Sequence, residues 1–116
     1  MKLLASALFA AAALGGSSPV TGALDSAANA MFEASGVPNR APTKVVPLVT
    51  AGGARAGFVQ VSGDSKALAR TTAVVELRAG SPWQITAFVP VSRIDPGGAG
   101  LKREYGVAVT ALAATP

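Results

Sequence analysis

From Lys44 to the C-terminus the side chains alternate in character with a period of two, and β-branched residues accumulate. That pattern restricts this part of the chain to strands whose two faces meet different surroundings. The clearest stretch is WQITAFVPVS, Trp83 to Ser92. Trp83, Ile85, Ala87, Val89 and Val91 fall on one face and are expected inward, while Gln84, Thr86, Phe88, Pro90 and Ser92 fall on the other and are expected mostly in water. The stretch TTAVVELR repeats the pattern with Ala73, Val75 and Leu77 inward, and EYGVAVTA with Tyr105, Val107, Val109 and Ala111 inward. Val59 and Val61 form a shorter inward pair.

Strands are therefore predicted over 44–50, 57–62, 71–78, 83–94 and 104–112, joined by AGGAR, GDSKALAR, AGSP and DPGGAGLK. Short strands with tight Gly, Pro and Asp connections predict a mainly β fold, a small antiparallel β-sandwich, Ig-like or a small barrel, of about five strands. Pro47 and Pro90 cannot donate to a ladder and are expected at an edge or a bulge.

The chain before Lys44 has a different organisation. In LDSAANAMFEASG the residues Leu24, Ala27, Ala28, Met31 and Phe32 recur at helical spacing, with Asp25 placed as an N-cap and Gly36 as a stop. One short helix is expected there, docked on its own domain because a helix of that length is marginal in water. GVPNRAP, with two prolines, then reads as an extended linker.

The first residues, MKLLASALFAAAALGGSSPVTGALD, have the three parts of a secretory signal in order: the cationic Lys2, the apolar run Leu3 to Leu14, and a region of breakers and small residues. Cleavage is expected after Ala23, with Thr21 and Ala23 at the two small-residue positions; Gly15 and Ser17 offer alternatives. The run is shorter than the roughly 20 apolar residues a bilayer-spanning helix needs, so no transmembrane anchor is expected. The expected organisation is a signal peptide over 1–23, the helix and linker over 24–43, and the β domain over 44–116. The expected location is the periplasm or the exterior. The chain has no Cys, hence no lipobox cysteine and no disulfide to hold an exported domain together.

Without the signal roughly 93 residues remain, enough for one domain with one core. Nine Lys and Arg against six Asp and Glu give that part a net charge of +3. The cations are scattered apart from Lys102-Arg103, and one Trp and one Tyr offer no stacking platform, so no nucleic-acid partner is expected.

The residue inventory also narrows the chemistry. With neither His nor Cys, the chain lacks the commonest general base, the thiol nucleophile and the usual zinc and copper ligands. Ser65 and Lys66 are sequence neighbours, which does not make a catalytic pair. Asp64, Glu76, Asp95 and Glu104 lie beside cations or turns and read as solvated strand edges or turn formers. AGGARAG lacks the Lys and Ser/Thr of a phosphate loop and precedes a strand. No enzymatic activity, cofactor or metal is expected.

In SRIDPGGAGLKRE, Asp95-Pro96-Gly97 has type II turn preferences. Pairing of the flanking strands would gather Arg93, Lys102 and Arg103 at one end of a hairpin, either as a contact for an acidic partner or as charges guarding a strand end. With Phe88, which stands on the polar face of its strand, these three are the candidate partner contacts. Two function classes follow: an exported module that binds a protein or polymer partner, and a structural protein that associates with itself at a cell surface or in an extracellular layer or particle.

Overall fold

The computed structural model describes residues 17–51, 54–94 and 100–114. The apolar run Leu3 to Leu14 and the Asp95-Pro96-Gly97 turn lie outside them. The elements are helix α1 (Ser17–Ala34), strands β1 (Thr43–Thr50) and β2 (Arg55–Gly63), helix α2 (Ser65–Arg70), and strands β3 (Ala73–Gly80), β4 (Gln84–Ile94), β5 (Leu101–Arg103) and β6 (Val107–Ala113). The fold is mainly β, as expected. Its strands form one six-stranded sheet in the order β5-β4-β3-β1-β2-β6, and not the antiparallel sandwich expected from strand spacing. Four of the five pairings are antiparallel; β1 and β3 run parallel through Leu48, Val49 and Thr50 against Val74, Val75 and Glu76.

The parallel pair follows from α2, which lies in the segment GDSKALAR read from sequence as a plain connection. Asp64 caps this helix, its carboxylate accepting from the amides of Lys66 and Ala67 at 3.1 Å each. At the other end the Lys44 ammonium donates to the carbonyls of Thr71 (2.8 Å) and Leu68 (3.4 Å), where a helix terminus favours positive charge. A chain that leaves β2 through this helix crosses β1 before re-entering the sheet, so β3 emerges beside β1 in the same direction.

Adjacent residues of a strand point to opposite faces, and both faces of β1 and β2 carry a core. On one face Val46, Leu48, Val59, Val61 and Val74 pack with Leu68 of α2, joined by the half-buried Phe88, Val107 and Val109. On the other, Val45 and Phe58 pack with Val20 of α1, with Ala23, Leu24 and Ala113 around them. Residues 57–61 of β2 are accordingly buried without interruption. The inward pair Val59 and Val61 is confirmed, and Phe58 and Gln60 are buried opposite them.

Helix α1 is longer than its periodicity indicated. From Ser17 it runs through Ser18, Pro19, Thr21 and Gly22, residues read as breakers, with Pro19 in the first turn, where a missing amide hydrogen breaks no helical bond. Asp25 is therefore mid-helix and not an N-cap. Gly36 does end the helix, at φ +78°, and the amides of Gly36 and Val37 bond back to the carbonyls of Glu33 and Phe32. This is a Schellman-type stop.

The expected faces of β4 are partly reversed. Phe88 and Pro90 are register partners of Glu76 and Val74 and share the α2-side face, where Pro90 is buried. Trp83 is 78% exposed and Ile85 59% exposed, and Leu77 and Tyr105 are exposed as well. Beyond Glu76 and Phe88 the β3–β4 hairpin extends past the end of the β1 pairing, and every residue from Leu77 to Ala87 is exposed. Pro47 and Pro90 lie in interior strands. Each immediately precedes a ladder, Pro47 before the β3 pairing that starts at Leu48 and Pro90 before the β5 pairing that starts at Val91, so locally each has an edge character.

Candidate binding cleft

A polar network fixes α1 on the sheet. Gln60, 2% exposed, donates from Nε2 to Asp25 Oδ1 (2.9 Å) and Asn29 Oδ1 (3.0 Å) on the helix. Its Oε1 accepts from the hydroxyl of Thr110 (2.6 Å) and the amide nitrogen of Asn39 (3.2 Å). Asn39 also donates to Asn29 Oδ1 (2.8 Å), and Asn29 donates to the Thr43 hydroxyl (2.9 Å). Helix, linker and β6 thus meet on one buried amide of β2 whose hydrogen-bonding capacity is used, Asn29 ties in β1 through Thr43, and no described buried side-chain polar atom lacks a partner.

Beside this network, between α1 and the β2–β6 end of the sheet, lies a cleft of about 450 Å³. Leu24, Met31 and Phe32 form its helical wall; Phe58, Ala111 and Ala113 form its sheet wall. The Ala residues of β6, with Ala28 on the helix, are too short to close the gap. A register shift opposite Gln60 and Val61 turns both Thr110 and Ala111 toward this face, so the expected alternation of Val107, Val109 and Ala111 breaks after Val109. Met31 stands exposed at the margin, at 57%, and Leu112, 54% exposed, is the register partner of Val59 on the other face of the edge strand.

The cleft borders a sheet edge. β6 pairs with β2 on one side, and among the described residues no strand pairs with its other side. The close approach is set by Gly63, where a Cβ would collide with the Gly106 carbonyl oxygen. The strand VAVTALA has no charge and no proline along its seven residues. The opposite edge, β5, is three residues long and carries Lys102 and Arg103. Natural sheets guard their edges with short, charged strands of that kind, and β6 has neither guard.

The sequence candidates divide between the core and the β5 edge. Phe88 is half-buried against the α2-side core. The strand expected over 104–112 does not pair with β4 but with β2, as β6; β4 pairs instead with the three-residue β5, where Arg93 faces Lys102 and Arg103 faces Val91, and the three cations gather there. The Arg103 guanidinium lies 4.9 Å from the centre of the Tyr105 ring. Glu104 is buried and paired with Arg70 (Nε to Oε1, 2.7 Å), and Glu76 is buried and paired with Arg78 (2.6 Å), so neither is the solvated carboxylate expected from its neighbours. The Arg70 hydrogen bond holds the Glu104 carboxyl below its ordinary range, against the opposing effect of desolvation; Ser92 and Lys102 act in the same direction as Arg70. Among the described residues no three His, Cys, Asp or Glu side chains gather as a metal site, and no helix is long and apolar enough to cross a membrane.

Sequence reasoning missed the cleft. The signal available was the stripe Leu24, Ala28, Met31 and Phe32, too wide for the small residues of β6 to cover. No protein-family model matches the chain, and neither a curated protein nor a solved structure is significantly similar to it.

Proposed function

We propose that this protein is an exported, non-enzymatic binding module that takes an extended, uncharged segment of a protein partner as an added strand on β6. Alternate apolar side chains of that segment enter the cleft beneath α1. The observation that carries this reading is the unguarded β6 edge bordering an apolar cleft: the strand's outer amides and carbonyls supply main-chain bonds, and the cleft supplies side-chain selectivity. The signal-like N-terminus supplies the export. The cationic β4–β5 pair of Arg93, Lys102 and Arg103 is a second contact, suited to an acidic patch of the same partner.

Panning displayed extended peptides on the processed protein tests this. Recovered sequences should be uncharged with apolar residues at alternating positions, should protect β6 amides from exchange, and should bind Met31→Glu at least about tenfold more weakly, the effect of losing one buried apolar contact. Peptides indifferent to Met31→Glu, or no recovered peptides, would sink the proposal.

Self-association is the second reading, and the same edge supports it. Exposed Met31 and Leu112 beside an uncharged strand are what a second copy would cover if β6 paired with β6.

A further inference from the structure

Val20 of α1 is 1% exposed, and it packs against Val45 and Phe58 beside Ala113. Val45, Phe58 and Ala113 also line the cleft. The seat of Val20 and the cleft are therefore parts of one apolar surface, with Val20 covering one end and the other end open. Sequence expectation puts the signal-peptidase cut after Ala23, three residues beyond Val20. Such a cut divides α1, and the two parts are held differently. Asp25 and Asn29, the helical partners of Gln60, lie downstream of the cut with Leu24, so the network keeps the remaining helix on the sheet. Val20 leaves with the leader.

We infer that signal cleavage uncovers a second apolar subsite, the seat formed by Val45, Phe58 and Ala113, which takes an aliphatic side chain of the captured segment. In the uncleaved chain that seat is filled by the protein's own Val20, and its occupant shows the chemistry it accepts: a small branched aliphatic group. The inference rests on the strand-addition reading of the cleft. Cleavage itself is a hydrolysis. Water adds across the Ala23–Leu24 amide, Ala23 departs with a new carboxylate and Leu24 keeps a new α-ammonium. The second subsite thus becomes available only once the leader is gone.

The test uses the full chain made by cell-free synthesis, before and after treatment with signal peptidase. Its readouts are hydroxyl-radical labelling of the Phe58 ring, the affinity of one panned peptide carrying a Val or Ile, and intact mass. Cleavage should raise Phe58 labelling several-fold and strengthen peptide binding about tenfold, the effect of freeing a site for one buried aliphatic side chain. Val20→Ala should raise both in the uncleaved chain. Phe58 labelling that cleavage leaves unchanged, or a mature N-terminus upstream of Val20, would overturn the inference. If panning returns no peptide, the strand-addition reading fails, while the labelling still decides whether the seat opens.

Discussion

Gln60 concentrates the polar requirements of the fold in one side chain. It is buried, it both donates and accepts, and its four side-chain partners come from α1, the linker and β6. Replacing it with Leu keeps the volume but strands Asp25, Asn29 and Thr110 beside an apolar group. Because unsatisfied buried polar groups each cost about 1–3 kcal/mol, Gln60→Leu should lower the unfolding free energy by at least about 2 kcal/mol in urea titrations followed by circular dichroism. A loss within error would mean that water reaches the network. Glu104 gives a pH-dependent counterpart. Its carboxyl titrates below the ordinary range in the folded state because Arg70 hydrogen-bonds it, so the stabilisation is present above the unfolded-state value and is lost as pH falls through the folded one. Melting temperatures of the wild type and Arg70→Gln should therefore differ near neutral pH and converge on acidification below about pH 4, the ordinary range of a Glu. A constant difference from neutral to acid pH would assign the effect of Arg70 to packing.

At the scale of elements, the sheet divides into a protected centre and an unsupported extension. β1 and β2 are covered on both faces, whereas among the described residues neither helix nor neighbouring strand lies over the β3–β4 hairpin beyond Glu76 and Phe88. Isolated two-stranded hairpins are marginal in water. Amide exchange should therefore be slowest at Val46, Val59, Val61 and Val74, and faster by orders of magnitude from Ala79 to Ile85, where opening does not require the core to open. Equal protection in both regions would mean that the hairpin is covered in solution. Helix α1 shows the same dependence on surroundings. Its apolar stripe was readable, and so was its Gly36 stop, but its start was not, because Pro19 is compatible with a first turn and equally with a loop.

For the whole molecule the question is which edge meets another chain. β5 is short and cationic; β6 is longer, uncharged and flanked by a cleft. If two copies cover each other's β6 edge, sedimentation of the processed protein should show a dimer that Met31→Glu returns to monomer, while Lys102→Ala has no effect. A monomer at the highest soluble concentration would remove self-association and leave the edge to a different partner.

The amino-acid sequence by itself determined that the chain is mainly β, where most strands run, and that a short helix precedes them, because a period of two, a period of 3.6 and a glycine stop are local properties of the backbone. It also indicated that Arg93, Lys102 and Arg103 lie together, since they flank one turn, although the strand that brings Lys102 and Arg103 to β4 is β5 and not the one expected over 104–112. Tertiary structure decided the rest. The parallel β1–β3 pairing, the inward placement of Phe88 and Pro90, the exposure of Trp83 and Ile85, and the cleft between α1 and β6 all depend on contacts between distant segments. Alternation tells which residues of a strand share a face. Which face is covered depends on what packs there, and the two helices that settle it lie far from β4 in sequence.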